Sequence, residues 1–232
     1  VGSWMCFSRC GRIIAKMSTH TAVVTGGTRG IGFGIAKYLV KQGASVAVTY
    51  HSNEADARTA EEEITPCLMK GQRFLVLRGD AGNPDHVAGH HETVKQELGP
   101  VDVLVNNAGI MPIRPFDQIT IKDWDDTIRV NLSGAFYWCS RVIEDMKSAS
   151  FGRIINISSI AARGGGVVGS HYAASKAGMV GLTRYAAREL GDFGITVNAI
   201  APAFIEDAGP FVEWSDDQLA SLAEKVAVSR IG

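Results

Sequence analysis

Six short apolar runs recur along the chain, each followed by an amphipathic stretch, and this alternation restricts the fold more than any other feature. The runs are 19–25, 45–50, 73–79, 101–107, 152–158 and 194–200. Each is rich in Val and Ile and apolar at consecutive positions, as strands buried on both faces of a parallel sheet must be. Helical periodicity occupies 30–42, 54–64, 84–98, 120–147 and 171–190. A last helix is expected over 216–227, with Ser215 as its N-cap and Asp216 and Asp217 in its first turn. Strand alternating with helix through short loops implies βαβ units with right-handed crossovers, hence an α/β fold with a doubly wound parallel sheet. A chain of 232 residues only modestly exceeds one typical domain of about 150, and no repeat or Pro/Gly/Ser linker marks a second.

Composition narrows the partners. Apolar residues make up 46% and charged residues 20%, which excludes a disordered chain. Lys and Arg number 23 against 24 Asp and Glu, a net charge of -1, so neither nucleic acid nor a membrane surface is expected as a partner. No run approaches the ~20 apolar residues of a membrane helix. Cys6, Cys10, Cys67 and Cys139 form no paired CxxC pattern. Reduced thiols in a cytoplasmic protein are expected, and no metal site. Residues 1–17 differ from the rest: they carry Arg9, Arg12 and Lys16, and no acid precedes Glu54. They read as an extraneous leader, with Met17-Ser18 as a native start, or as a remnant of organelle targeting. The domain proper is then 18–232.

The first run leads into Thr25-Gly26-Gly27-Thr28-Arg29-Gly30-Ile31-Gly32 and then a helix. Gly26 permits the dihedrals of a sharp turn. Gly30 and Gly32 allow close approach of backbone and ligand, and a helix N-terminus offers free N–H groups and a positive dipole end to a pyrophosphate. A tight turn alone would also require glycine; the strand–loop–helix setting is what points to a Rossmann-like dinucleotide site.

The spacing TGxxxGxG resembles that of the short-chain dehydrogenase/reductase family, and the resemblance extends over about 19–232. It implies cofactor contacts from Gly26, Thr28, Arg29, Gly30, Ile31 and Gly32. In dinucleotide folds an acid ending the second strand accepts from the ribose 2′-OH of NAD. Here that strand ends Thr49-Tyr50-His51-Ser52-Asn53, without a carboxylate. Arg29 can fork two hydrogen bonds to a 2′-phosphate, and Ser52 and Asn53 can add donors, so NADP(H) is favoured over NAD(H). The alternative for Arg29 is a solvated loop cation. Asp80 matches the family's acid on the adenine amine, or caps the next helix. Asn106-Asn107-Ala108-Gly109 is family-typical; Asn107, Ala108 and Gly109 would pass under the adenosine ribose, with Asn side chains bridging strands.

Tyr172 and Lys176 lie four apart on a helix, a turn of about 400° and a rise of roughly 6 Å, so both share one face. A phenol titrates near 10, and a neighbouring ammonium should draw it toward working pH. Ser159 ends the fifth run and matches the family's serine, with Ser158 a rival by proximity; its hydroxyl can orient a substrate carbonyl. Asn131 sits mid-helix, where Asn is unfavourable; in the family this residue opens the helix and anchors a water joining Lys to a proton relay. The resemblance therefore implies a catalytic group of Asn131, Ser159, Tyr172 and Lys176, with Tyr172 and Lys176 also touching the cofactor and hydride leaving its pro-S face.

Two departures stand out. After the sixth run the family has Pro-Gly and then a Thr; here Pro202-Ala203 and Asp207 occupy those positions, leaving Pro202 and a backbone contact from Ile205 as the nicotinamide-side expectations. Family chains also continue past Arg230-Ile231-Gly232 with a helix and seventh strand, so that strand is apparently missing, the chain reads as truncated, and an open sheet edge is expected. Substrate specificity is assigned to 110–119, 160–171 and 203–228, with the Gly-rich 163–169 as an adaptable wall and Phe204, Phe211, Val212 and Trp214 as an apolar lid or local packing. The chain resembles the family's 3-oxoacyl-(acyl-carrier-protein) reductases and broad alcohol dehydrogenases. The resemblance implies an NADPH-dependent ketoreductase, an NAD(P)-dependent alcohol or sugar dehydrogenase, or a cofactor binder without turnover. Partners are a small carbonyl or alcohol, a carrier-bound acyl chain met by Arg114 and Arg163, and further copies of the chain as a dimer or tetramer.

Overall fold

A computed structural model describes residues 17–205. The expected leader apart from Met17, the helix over 216–227, Asp207, and Phe211, Val212 and Trp214 lie outside the described residues. Six parallel strands form one sheet: β1 (Thr21–Val24), β2 (Ser45–Tyr50), β3 (Phe74–Arg78), β4 (Val103–Asn106), β5 (Gly152–Ile157) and β6 (Ile195–Ile200), in spatial order β3-β2-β1-β4-β5-β6. Between them run α1 (Gly30–Lys41), α2 (Glu54–Ile64), α3 (Pro84–Leu98), α4 (Ile121–Ile128), α5 (Gly134–Ser148), a short α6 (Ala161–Gly164) and α7 (Ser170–Leu190).

The consecutive apolar residues of each strand divide between two cores because successive side chains alternate across the sheet. Ala22, Val24, Val46, Val48, Val103 and Val105 join Ala36, Leu39 and Val40 of α1 and Ile64 of α2 in one core. Val23, Ala47, Leu104, Ile154, Ile195 and Val197 meet Val87 and Val94 of α3 and Trp138, Val142 and Met146 of α5 in the other. These residues are at most 9% exposed. The chain winds outward from β1 to β3, then returns to β4 beside β1. That reversal splits the loops at the carboxyl ends of β1 and β4 and opens a crevice there, where such sheets bind ligands.

The stretch 120–147 is not one helix. A π turn, Arg129–Ser133, interrupts it around the fully buried Asn131. Among the described residues β3 and β6 are the edge strands, and on β6 Ile200 is half exposed. Among the described residues no helix is long and apolar enough to cross a membrane.

Candidate active site

A cavity of about 760 Å³ fills the crevice, running from the β1–α1 loop to α7 and the segment after β6. At its near end Gly26 has φ +61, and a Cβ there would press on Ala108 at 3.0 Å. Asn107 fixes this turn by donating from Nδ2 to the carbonyls of Thr25 and Gly26 at 3.0 and 2.9 Å. Thr25 Oγ1 in turn accepts from the Asn107 and Ala108 N–H groups, both at 2.9 Å. The β1 and β4 ends are thus tied together where the expected Asn bridge lies. Gly32 does not line the cavity: a Cβ there would overlap the Gly26 carbonyl and the Asn107 amide. Its missing Cβ lets the helix and the loop pack closely.

Helix α1 begins in this cavity, with Gly30 and Ile31 in its lining. Arg29 supplies no side-chain cap, and the first turn holds no acid. By contrast, Asn53 caps α2, Asn83 caps α3 and Thr120 caps α4, each with an acid in the first turn. Uncapped N–H groups and an unopposed positive dipole end suit an anionic pyrophosphate. The residues present therefore fit a dinucleotide.

The adenosine end holds three arrangements that the sequence does not show. Asn53 lines the cavity, but its Oδ1 is committed to the N–H groups of Ala55 and Asp56, leaving its amide as a donor. Arg29 is 77% exposed, with its Nε 3.9 Å from Asp56. Asp56 lines the cavity too, so a carboxylate does reach this region, from the first turn of α2 rather than from the strand end. Asp80 does not cap α3, a role Asn83 takes. Its carboxylate accepts from Gly82 N–H at 2.8 Å and Arg129 at 2.7 Å. Burial would raise the Asp80 carboxyl, but these two donors outweigh it and hold it below the usual range.

At the far end, Ser159, Tyr172 and Lys176 converge on the cavity with Pro202 and Ile205. Ser159 Oγ accepts from Ala161 N–H at 3.1 Å, and the Ser159 side chain acts on the Tyr172 phenol to favour its deprotonated form. Ser158 turns away, donating to the Lys176 carbonyl at 3.0 Å; the geometry separates the two serines. Lys176 is 4% exposed. Its ammonium stands 5.7 Å from the Tyr172 ring centroid and donates to the Ile157 carbonyl at 2.7 Å.

The phenol is not drawn toward neutrality. Burial pushes Tyr172 up, and the Ser159 hydrogen bond offsets only part of that. Burial also brings Lys176 down to about 8, so near neutral pH its charge is retained with little margin. The expected lowering of the phenol by a full ammonium therefore competes with desolvation of both groups.

Asn131 lies beneath the cavity rather than in its lining. Its Oδ1 accepts from Ile110 N–H at 2.7 Å, and its Nδ2 donates to the Ile110 carbonyl at 2.9 Å and Ser175 Oγ at 3.2 Å. Lys176 Nζ and Asn131 Oδ1 both approach the point where a Gly109 Cβ would sit, at 3.7 and 3.2 Å. The π turn supplies the opening from which Asn131 reaches across. The Gly-rich wall is tied to the segment after β4: Val168 is buried against Tyr172 and Ala161, and its carbonyl accepts from Arg114 N–H at 2.9 Å. Asp56, Met111 and Arg129, which also line the cavity, carry no sequence motif. Only their place on helices and loops facing the crevice brings them there.

A profile of the short chain dehydrogenase family matches residues 20–218. The chain belongs to the short-chain dehydrogenase family. It is accordingly an NAD(P)-dependent oxidoreductase acting on C=O or CH–OH groups. Among its relatives, the 3-oxoacyl-(acyl-carrier-protein) reductase FabG of Staphylococcus epidermidis is 39% identical over 212 residues, 91% of this chain and 85% of that one. The acetoacetyl-CoA reductase of Paracoccus denitrificans is 41% identical over 184 residues, 79% of this chain and 73% of that one. A solved structure described as a short-chain alcohol dehydrogenase from Sinorhizobium meliloti 1021 superposes with a TM-score of 0.82 at 34% identity, covering 92% of this chain and 83% of that one.

Proposed function

We propose that this protein is an NADPH-dependent ketoreductase that reduces the keto group of a 3-oxoacyl thioester, with Tyr172 as the proton donor. The observation that carries this reading is the convergence of Tyr172, Ser159 and Lys176 on a cavity whose other end is an uncapped helix N-terminus. The α1 N-terminus, Gly26, Thr28 and Gly30 would hold the pyrophosphate, and Arg29 and Ser52 the 2′-phosphate. Asp80 would meet the adenine, Asn107, Ala108 and Gly109 the ribose, and Pro202 and Ile205 the nicotinamide. When bound, the dinucleotide supplies the hydride.

The protein's own groups manage the proton. The raised Tyr172 pKa keeps the phenol protonated, hence an acid able to give its proton to the alkoxide that forms from the carbonyl. Ser159 positions the substrate oxygen beside that phenol, donating a hydrogen bond that strengthens as charge develops. Lys176, as the ammonium, favours the phenolate left behind and lowers the barrier to its formation. Asn131 holds Ile110, and with it the end of the β4 loop, in place. The activities for which the FabG and acetoacetyl-CoA reductase relatives are named support a 3-oxoacyl thioester as substrate, and Arg114 and Arg163 offer cationic groups for a carrier or CoA phosphate.

One observation favours a second reading. Asp56 reaches the cavity beside Arg29, where a carboxylate would accept from a 2′-hydroxyl; that suits NAD(H) and oxidation of an alcohol. Following absorbance of NADPH and of NADH with acetoacetyl-CoA separates the two. NADPH-preferring consumption supports the first reading, whereas NADH preference with faster alcohol oxidation replaces it with the second. Tight binding without turnover would leave a cofactor binder.

A further inference from the structure

Ile110 and Met111 line the cavity with Tyr172, and the segment Ile110–Arg114 that begins with them is fastened at three successive points. Asn131 grips both the N–H and the carbonyl of Ile110. Arg114 N–H donates to the Val168 carbonyl. Between these, His171 Nε2 lies 3.0 Å from the Pro112 carbonyl. A carbonyl only accepts, so Nε2 carries the proton in this bond. His171 is fully buried, and its Nδ1 has no partner among the described residues, so the ring is spent on Pro112 alone.

The surroundings are shaped for that ring. Gly169 has φ +149, and a Cβ there would meet His171 Cε1 and Nδ1 at 2.6 and 2.8 Å and the Arg114 carbonyl at 3.1 Å. The same missing Cβ therefore makes room for the imidazole and for the segment it holds. Met111, between the Asn131 and His171 attachments, packs on the cluster of Tyr172, Ala161 and Val168 and lines the cavity. His171 itself does not line it.

We infer that His171 is a positioning residue: by holding Pro112 it fixes Met111 against Tyr172 and so sets how much room a ketone's chain finds beside the phenol. This rests on the ketoreductase reading for its substrate but not for the attachment itself, so the test has one readout of each kind. The variants are His171→Leu, which still fills the buried space but removes the donor, and His171→Gln, whose amide N–H reaches about as far as Nε2. The readouts are hydrogen–deuterium exchange of segment 110–114, and KM and kcat for acetoacetyl-CoA and a longer 3-oxoacyl-CoA with NADPH.

His171→Leu should speed exchange of the segment and raise KM about fivefold, as losing one net hydrogen bond implies, with kcat within about twofold. The ratio of kcat/KM between the short and long substrates should also change, and His171→Gln should restore exchange, KM and ratio together. Unchanged exchange and KM in His171→Leu would overturn the inference. So would equal damage in both variants with a common fall in Tm, which is the signature of a merely structural histidine. If the wild type reduces no ketone, the ketoreductase reading falls, and exchange alone decides whether His171 holds the segment.

Discussion

The two ends of the cavity are built on opposite terms. At the adenosine end the charges are wet: Arg29 is 77% exposed and stands 3.9 Å from Asp56. At the reaction end the polar groups are dry: Asn131 is fully buried, Lys176 is 4% exposed, and each makes named hydrogen bonds. Water screens an exposed pair and leaves little energy in it, whereas a buried polar group that loses its partner bears the desolvation cost in full. The first end can therefore adjust cofactor preference in small steps, and the second should tolerate almost no change.

The largest effect expected from this contrast is at the phenol. Tyr172→Phe should lower kcat roughly a thousandfold, within the range that a general acid contributes, with NADPH affinity changed by less than about threefold; stopped-flow turnover and fluorescence titration read the two. At the wet end, Arg29→Ala should weaken NADPH by about tenfold, one charge-assisted hydrogen bond to a phosphate, and leave NADH unaffected. The smallest effect belongs to Asp56→Asn. Removing an exposed carboxylate should raise the NADPH-to-NADH affinity ratio by about threefold. A larger change at Asp56 than at Tyr172 would invert the comparison.

Much of this was legible in the sequence where a residue type is demanded by local geometry. The six strands stand within a residue or two of their apolar runs, because a sheet buried on both faces admits little else. Gly26 was legible for the same reason, since its φ of +61 is one that other residues avoid. Asn131 was legible as a disruption of its helix, though not as a π turn, because the turn depends on Ile110, distant in sequence. Long-range contacts account for the rest. Asn83 takes the cap of α3 and Asp80 pairs with Arg129, 49 residues away, and Gly32 is packed against Asn107. The Tyr172 phenol rises rather than falls because burial, which no spacing reveals, outweighs the Ser159 hydrogen bond.

The pH dependence of ketone reduction tests the buried pair most directly. Lys176, brought down to about 8 by burial, is an ammonium below that pH and an amine above it. Tyr172, pushed above its ordinary value, stays protonated well beyond. With NADPH saturating, kcat/KM should be level through neutrality and fall above a breakpoint near 8, and Lys176→Met should be slow and lack the breakpoint. A wild-type profile that stays level until the phenol itself titrates, or a Lys176→Met variant that keeps the same breakpoint, would contradict the account.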